Sequence, residues 1–433
     1  MARLILVATL ATLTAVPAAA LEHDLRGYVK TFAVLYDPAG DDVAAEPAAP
    51  GTVWALNHRA RGILDLDLAP ALDLHVAYDL SLRLQDRGLA ALSVVPAAQA
   101  APPVYRVADL ESILWSDRAG DDDRVLVLQN LDRLSGTLHL DRLDLVVGRQ
   151  AIAWGSSKVI QPTDIVAPFF PNEIDTEDRA GVDAVRARIP LGALSELDLG
   201  YVAGDALEWD ASAAFARTRL YVHSTDLTLL AMAFRRNVLL GVDATRAVGG
   251  AGVWIEAAQV LVDADQASAA AGLLGVDDDD YLRVTAGADY NLASGLYGFA
   301  EYHWNGAGAT DPADYLGRLL TTAVRDGAVY QLGRHYVVPG TLWQVSALNT
   351  LSAQALFNLT DGSVLVVPQL EHSAGENLYL SVGAFVGFGT APGTMPVPGS
   401  LGSVFGDGAS VPRFRSEYGA YPDSYYAFVR YYF

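Results

Sequence analysis

Between Asn57 and Gln85 the sequence alternates at every second residue through two long runs. Ala60, Gly62, Leu64, Leu66 and Leu68 take one set of positions, and Asn57, Arg59, Arg61, Asp65 and Asp67 take the other. After Ala69-Pro70-Ala71 the alternation resumes. Leu72, Leu74, Val76, Tyr78, Leu80, Leu82 and Leu84 now stand against Asp73, His75, Asp79, Ser81, Arg83 and Gln85. Successive side chains of a strand point to opposite faces, so each run is a strand with one apolar and one polar face, and the pair is a hairpin. Strands of soluble sheets run about five or six residues. These runs exceed about ten, the length that a tilted strand needs to cross a bilayer.

The same unit recurs. Leu197, Leu199 and Tyr201 oppose Glu196 and Asp198, and Leu282, Val284, Ala286 and Ala288 oppose Arg283, Thr285 and Asp289. Leu378, Leu380, Val382, Ala384, Val386 and Phe388 form an unbroken apolar row. Connections alternate between short and long. Long ones cover 38–51, 88–123, 155–180, 264–279, 306–328 and 390–422, with short exceptions at Arg236-Asn237 and Thr360-Asp361-Gly362. Short turns on one side and long loops on the other are the pattern of outer-membrane barrels. The prediction is one all-β domain over 21–433, a closed antiparallel transmembrane barrel of about 18 strands, within roughly 16 to 20.

Composition agrees. The chain is 52% hydrophobic with mean hydropathy +0.22, yet it carries a net charge of −22. No apolar run of about 18 residues follows the first twenty, which argues against membrane-spanning helices. At the start, Arg3 precedes an apolar stretch from Leu4 to Val16 and the small residues Ala18-Ala19-Ala20. This predicts a secretory signal peptide over 1–20. The absence of Cys excludes disulfides, thiolate metal sites and a Cys nucleophile. The acidic excess argues against nucleic acid, which needs basic patches. The acidic runs at Asp121–Asp123, Glu173 to Asp178, Asp205 to Asp210 and Asp277–Asp280 read as solvated rims. None has the spacing of an EF-hand loop. No metal, cofactor or enzyme site is predicted: G-x-S-x-G and H-E-x-x-H are absent, and His303 reads as a strand end.

The last strand sets Tyr425, Ala427, Val429, Tyr431 and Phe433 on one face. This aromatic terminus, with Tyr431 and Phe433 as its last apolar pair, resembles the assembly signal of bacterial outer-membrane barrels. Gly148-Arg149-Gln150 followed by Trp154-Gly155, and then by a loop holding Pro162, Pro168 and Pro171, is similar to porin-type barrels, including alginate-export-type ones. The resemblance implies a Gram-negative outer membrane with its lipid and lipopolysaccharide. It also implies the barrel-assembly machinery as a partner for the last strand, and a channel for small polar solutes.

Parity places Arg59, Arg61, Arg83, Arg217, Arg219 and Arg283, with Asp65, Asp67 and Asp79, on the lumen face. Arginine facing lipid at the bilayer midplane would cost about 2–4 kcal/mol each. Arg59, Arg61 and Arg83 are expected at similar height as a positive patch, joined in outline by Arg217 and Arg219. Ladders of opposite charge that stiffen the wall are the alternative. Trp154, Asp164, Phe169 and Phe170 belong to a loop expected either to fold inward as a constriction or to stay outside with an interfacial Trp. The function these features favour is a porin for small polar or anionic solutes. A dedicated exporter of a polysaccharide-like substrate, a surface scaffold and an outer-membrane hydrolase are the alternatives.

Overall fold

The computed structural model describes residues 22–38, 51–86, 88–89, 105–118, 123–292, 295–397 and 410–433. The expected signal peptide lies outside these residues, as do Asp121 and Asp122 and parts of the loops at 38–51, 88–123 and 390–422. In chain order the strands are β1 (Glu22–Asp37), β2 (Val53–Ala69), β3 (Leu72–Gln85), β4 (Ser112–Arg118), β5 (Asp123–Leu140), β6 (Leu143–Gln150) and β7 (Val182–Pro190). They continue as β8 (Glu196–Ala203), β9 (Ala213–Val222), β10 (Thr225–Phe234), β11 (Asn237–Val248), β12 (Ala251–Leu261), β13 (Tyr281–Asn291) and β14 (Leu296–Asn305). The last are β15 (His335–Ser346), β16 (Asn349–Asn358), β17 (Val364–Ser373), β18 (Leu378–Phe388), β19 (Gly393–Pro396), β20 (Ser410–Arg413) and β21 (Asp423–Tyr432).

All except β4, β19 and β20 form a closed 18-strand antiparallel barrel. Neighbours follow chain order, and β21 closes the wall by pairing with both β18 and β1. The closing seam runs from Asp37↔Asp423 to Tyr28↔Tyr432. One rung further, Gly27 and Phe433 exchange two backbone hydrogen bonds of 2.9 and 3.0 Å. Closure leaves no open edge among the 18 wall strands described, an edge that a bilayer would not tolerate.

The outer face is the apolar row read from the sequence. Leu80, Leu240, Ile255, Val382, Val429 and Phe433 are among its exposed large side chains. A continuous apolar belt of this extent is unstable against water and needs lipid as its neighbour.

Three features depart from the sequence expectation. Within 88–123, β4 is a strand that pairs from Ser112↔Gln129 to Arg118↔Asp123 on the outer part of β5, beyond the point where β6 stops pairing at Arg149. Its apolar residues Ile113, Leu114 and Trp115 are consecutive, so it shows no alternation. Next, β5 carries a register shift opposite Ala77/Tyr78, so that both Asp132 and Arg133 are buried. An extra residue in one strand re-aims the side chains beyond it. Last, the inner face is not uniformly polar. Phe32, Val338, Leu365, Phe385, Tyr426 and Phe428 point inward and are covered by Leu316, Leu319, Leu332, Phe414 and Tyr418 of the outer loops. Those loops therefore fold into the mouth, where burying apolar surface stabilises them.

Candidate functional site

The segment 151–181, which joins β6 to β7, crosses the lumen. Trp154 leaves the wall and meets Phe215 edge-on, with ring centroids 4.8 Å apart. Backbone N–H groups inside a barrel need acceptors. Glu256 of β12 supplies them to Ser156 (3.1 Å), Ser157 (3.1 Å) and Thr163 (2.9 Å), and it also accepts the Thr163 hydroxyl at 2.7 Å. Glu301 of β14 accepts the N–H groups of Lys158 and Val159 and the Trp254 indole N–H. The Thr285 hydroxyl donates to the Ile160 carbonyl at 2.9 Å. Gly155 has φ +97°, and a Cβ there would stand 2.9 Å from the Glu256 carboxylate. A side chain is excluded on both counts.

The returning leg is fastened to the opposite wall. Lys30 of β1 pairs with Asp175 (2.9 Å) and Glu177 (2.8 Å), the Tyr28 hydroxyl donates to Asp178 (2.6 Å), and that of Tyr432 donates to Glu177 (2.7 Å). The run from Glu173 to Asp178 was expected on a solvated rim. It faces inward instead, because Lys30 is fully buried and requires counter-charge. Asp278 of the other long run is also structural: it accepts the Thr322 N–H and hydroxyl, the latter at 2.7 Å.

The arginines divide. Arg59 and Arg61 both donate to Asp79, at 3.0 Å each. Arg61 also reaches Asp132 at 2.8 Å, and Arg106 and Arg133 converge on that carboxylate. The Gly181 N–H completes the hub at 2.9 Å. Arg59 and Arg61 are thus brought together with Asp79, inside a network of matched acids. Arg83 faces Asn57 across the β2–β3 ladder. Arg217 and Arg219 stand opposite Asp198 and Glu196, on the far side of β5–β8, and Arg186 holds Asp198 at 2.6 Å. Asp65 binds Arg26 and His75 toward the turn end, where Asp67 is exposed opposite Asp73. The five arginines therefore do not gather into one positive patch. Asp132 and Arg133 had one signal in the sequence: the apolar row changes parity between Leu131 and Leu134. His303, read as a strand end, is buried and shares a hydrogen bond with Thr285 at 2.8 Å.

Open space lies on the other side of the loop. A cavity of about 540 Å³ is bounded by the loop and by β13–β18 and β21. Asp164, Phe169, Phe170 and Arg283 line it, whereas Trp154 packs outside its lining. Arg179 forms an ion pair with Asp164 at 2.8 Å, and its guanidinium lies 3.9 Å from the Phe169 ring centre. Burial pushes the Asp164 carboxyl up to about 7 despite Arg179. Arg283 is buried on β13, with a long 3.5 Å contact to the Gly327 carbonyl. The wall opposite the loop adds Phe299, Gln354, Gln369 and Tyr426, which strand parity alone does not rank above other inward residues.

Aromatic side chains fit this interior by lying over glycines of the neighbouring strand. A Cβ at Gly340 would fall 2.2 Å from the Phe299 ring, and one at Gly383 would fall 2.4 Å from the Tyr426 hydroxyl. Gly287 beneath Trp254 and Gly200 beneath Phe215 repeat the device.

No protein-family model matches this chain, and no curated protein matches it. Solved structures do. OccAB2 of Acinetobacter baumannii matches with a TM-score of 0.53 at 7% identity, over 95% of this chain and 98% of that one. OccAB4 of the same organism matches with a TM-score of 0.52 at 10% identity, over 95% and 98%. OccK11 (OpdR) of Pseudomonas aeruginosa matches with a TM-score of 0.50 at 11% identity, over 95% of each chain. At such identities the likeness is one of architecture, and it extends over nearly the whole chain: this protein has the barrel fold of those structures.

Proposed function

We propose that this chain is an outer-membrane channel through which small polar solutes diffuse, with segment 151–181 as its constriction. One observation carries the reading. A closed barrel with an apolar outer belt encloses a cavity of about 540 Å³ beside a loop that both walls hold across the lumen. A loop fastened at both ends narrows a passage without sealing it. Asp164, Phe169 and Phe170 set the edge of that passage, and Arg59 and Arg61, fixed by Asp79, hold Asp175 and Asp178 of the loop's returning leg from behind. Tyr431 and Phe433 serve assembly, as the strand read by the barrel-insertion machinery. The chain acts as a channel and not as a catalyst.

Reconstitution in planar bilayers tests this. Discrete single-channel steps are expected, together with larger steps in a variant whose loop is released from one wall. A folded protein that gives no steps would overturn the reading. It would also favour a surface scaffold, to which the apolar packing of outer loops in the mouth lends its weight.

A further inference from the structure

Strand register fixes what the cavity wall offers a solute. One rung runs Tyr297↔Leu342↔Ser352↔Gln369↔Gly383↔Tyr426 across six strands. The adjacent rung includes Phe299↔Gly340↔Gln354. Phe299 lies over Gly340 and Tyr426 over Gly383, so each ring is pressed to the wall with its other face toward the cavity. Between these rings stand a hydroxyl and two amides, Ser352, Gln354 and Gln369. Strands are spaced by about 4.8 Å, so the interval between β14 and β21 is elongated, on the order of 20 Å along the wall. Tyr426 donates to the Gln369 carbonyl oxygen at 3.0 Å, which orients that amide and leaves its N–H₂ group as a donor.

Charge in the lining is confined to the loop and to Arg283 of β13. Among the described residues, those of β15–β18 and β21 that line the cavity are all uncharged. On the loop side, Arg179 is paired with Asp164 and Lys158 with Asp289 (3.4 Å), and Glu173 accepts the Phe170 N–H at 3.1 Å.

We infer that this cavity is a binding subsite for a neutral polyhydroxylated solute, a short sugar chain, seated between the faces of Phe299 and Tyr426 and hydrogen-bonded by Ser352, Gln354 and Gln369. The inference rests on the channel reading above and deepens it. Aromatic faces carry negative potential and receive the C–H faces of a sugar ring. Amides both donate and accept, so they replace the water around hydroxyls without stripping a charge. A charged solute would lose hydration against β15–β18 and β21, which supply no counter-charge. A volume of about 540 Å³ falls within the range of roughly 300–1,000 Å³ typical of small-molecule sites. Arg283, buried on β13, makes an organic anion the competing occupant.

The test is current blockade in planar bilayers, with maltotriose and benzoate as probes on the mature chain. Maltotriose is expected to interrupt the ion current reversibly and to saturate. Phe299→Ala and Gln369→Ala should each weaken that block about fivefold, the effect of losing about one net interaction. Heat-modifiable gel migration verifies that both are folded barrels. A conducting channel blocked by benzoate and indifferent to maltotriose would overturn the sugar assignment and leave the channel reading intact. A maltotriose block unchanged in both variants would also overturn it. Absence of any conductance would overturn the channel reading and this inference together.

Discussion

Replacing Glu256 by alanine isolates what holds segment 151–181 across the lumen. The carboxylate accepts four hydrogen bonds from that segment: the backbone N–H groups of Ser156, Ser157 and Thr163, and the Thr163 hydroxyl. Ser157 and Thr163 are buried. A buried donor left without a partner costs about 1–3 kcal/mol. If the loop stayed in place, the three buried donors on Ser157 and Thr163 would cost about 3–9 kcal/mol, comparable to a typical total stability of about 5–15 kcal/mol. The barrel wall does not depend on those bonds, since β12 keeps its ladders with β11 and β13. The loop is therefore expected to leave its seat while the barrel survives. Single-channel recording should show a larger mean conductance and added gating noise, and limited proteolysis should cut within 156–163. Glu256→Gln keeps one acceptor oxygen and should fall between wild type and alanine. Wild-type conductance and noise in a folded Glu256→Ala barrel would refute the reasoning and place the loop's stability elsewhere.

Other perturbations give distinct outcomes. Gly340→Val should push the Phe299 ring into the cavity, because even a Cβ would stand 2.2 Å from ring carbons; conductance is expected to fall in bilayer recordings. Asp79→Ala leaves Arg59 and Arg61 short of their shared acid, and breaking a buried pair costs about 3–5 kcal/mol, which thermal unfolding in detergent would register. Deleting Phe433 removes both backbone bonds to Gly27 at the closing seam, so outer-membrane levels in cells should drop more than the folded yield in detergent. Because the Asp164 carboxyl is raised to about 7, it is charged above that pH and neutral below it. Its folded form binds the proton more tightly than an exposed carboxyl, so its penalty to stability is full above about pH 7 and fades as pH falls toward about 4. Arg179 then loses its counter-charge, and reversal potentials should shift toward anion preference on acidification, a shift that Asp164→Asn should abolish.

The wall was legible in the sequence because a bilayer imposes one rule on every strand: its outer face must be apolar. Leu80, Leu82 and Leu84 obey that rule residue by residue, and so the strand assignments need no knowledge of their neighbours. The lumen follows no such rule. Arg59 and Arg61 point inward by parity, yet whether they repel, attract or neutralise depends on who faces them. The acids that do so come from three places: Asp79 on the next strand, Asp132 from a bulge, and Asp175 and Asp178 from a loop more than a hundred residues further on. The first is visible from hairpin pairing, the second from a single break in parity, and the third from neither. The same holds for the cavity. Tyr426 becomes a flat surface because Gly383 lies beneath it, and that placement follows from the register of β21 on β18 across the long connection 389–422, which no turn in the sequence fixes. Loop 151–181 settles inward for a comparable reason. Its acids find Lys30 and its backbone finds Glu256 and Glu301, on opposite walls that the chain brings within reach of each other only by completing the circle.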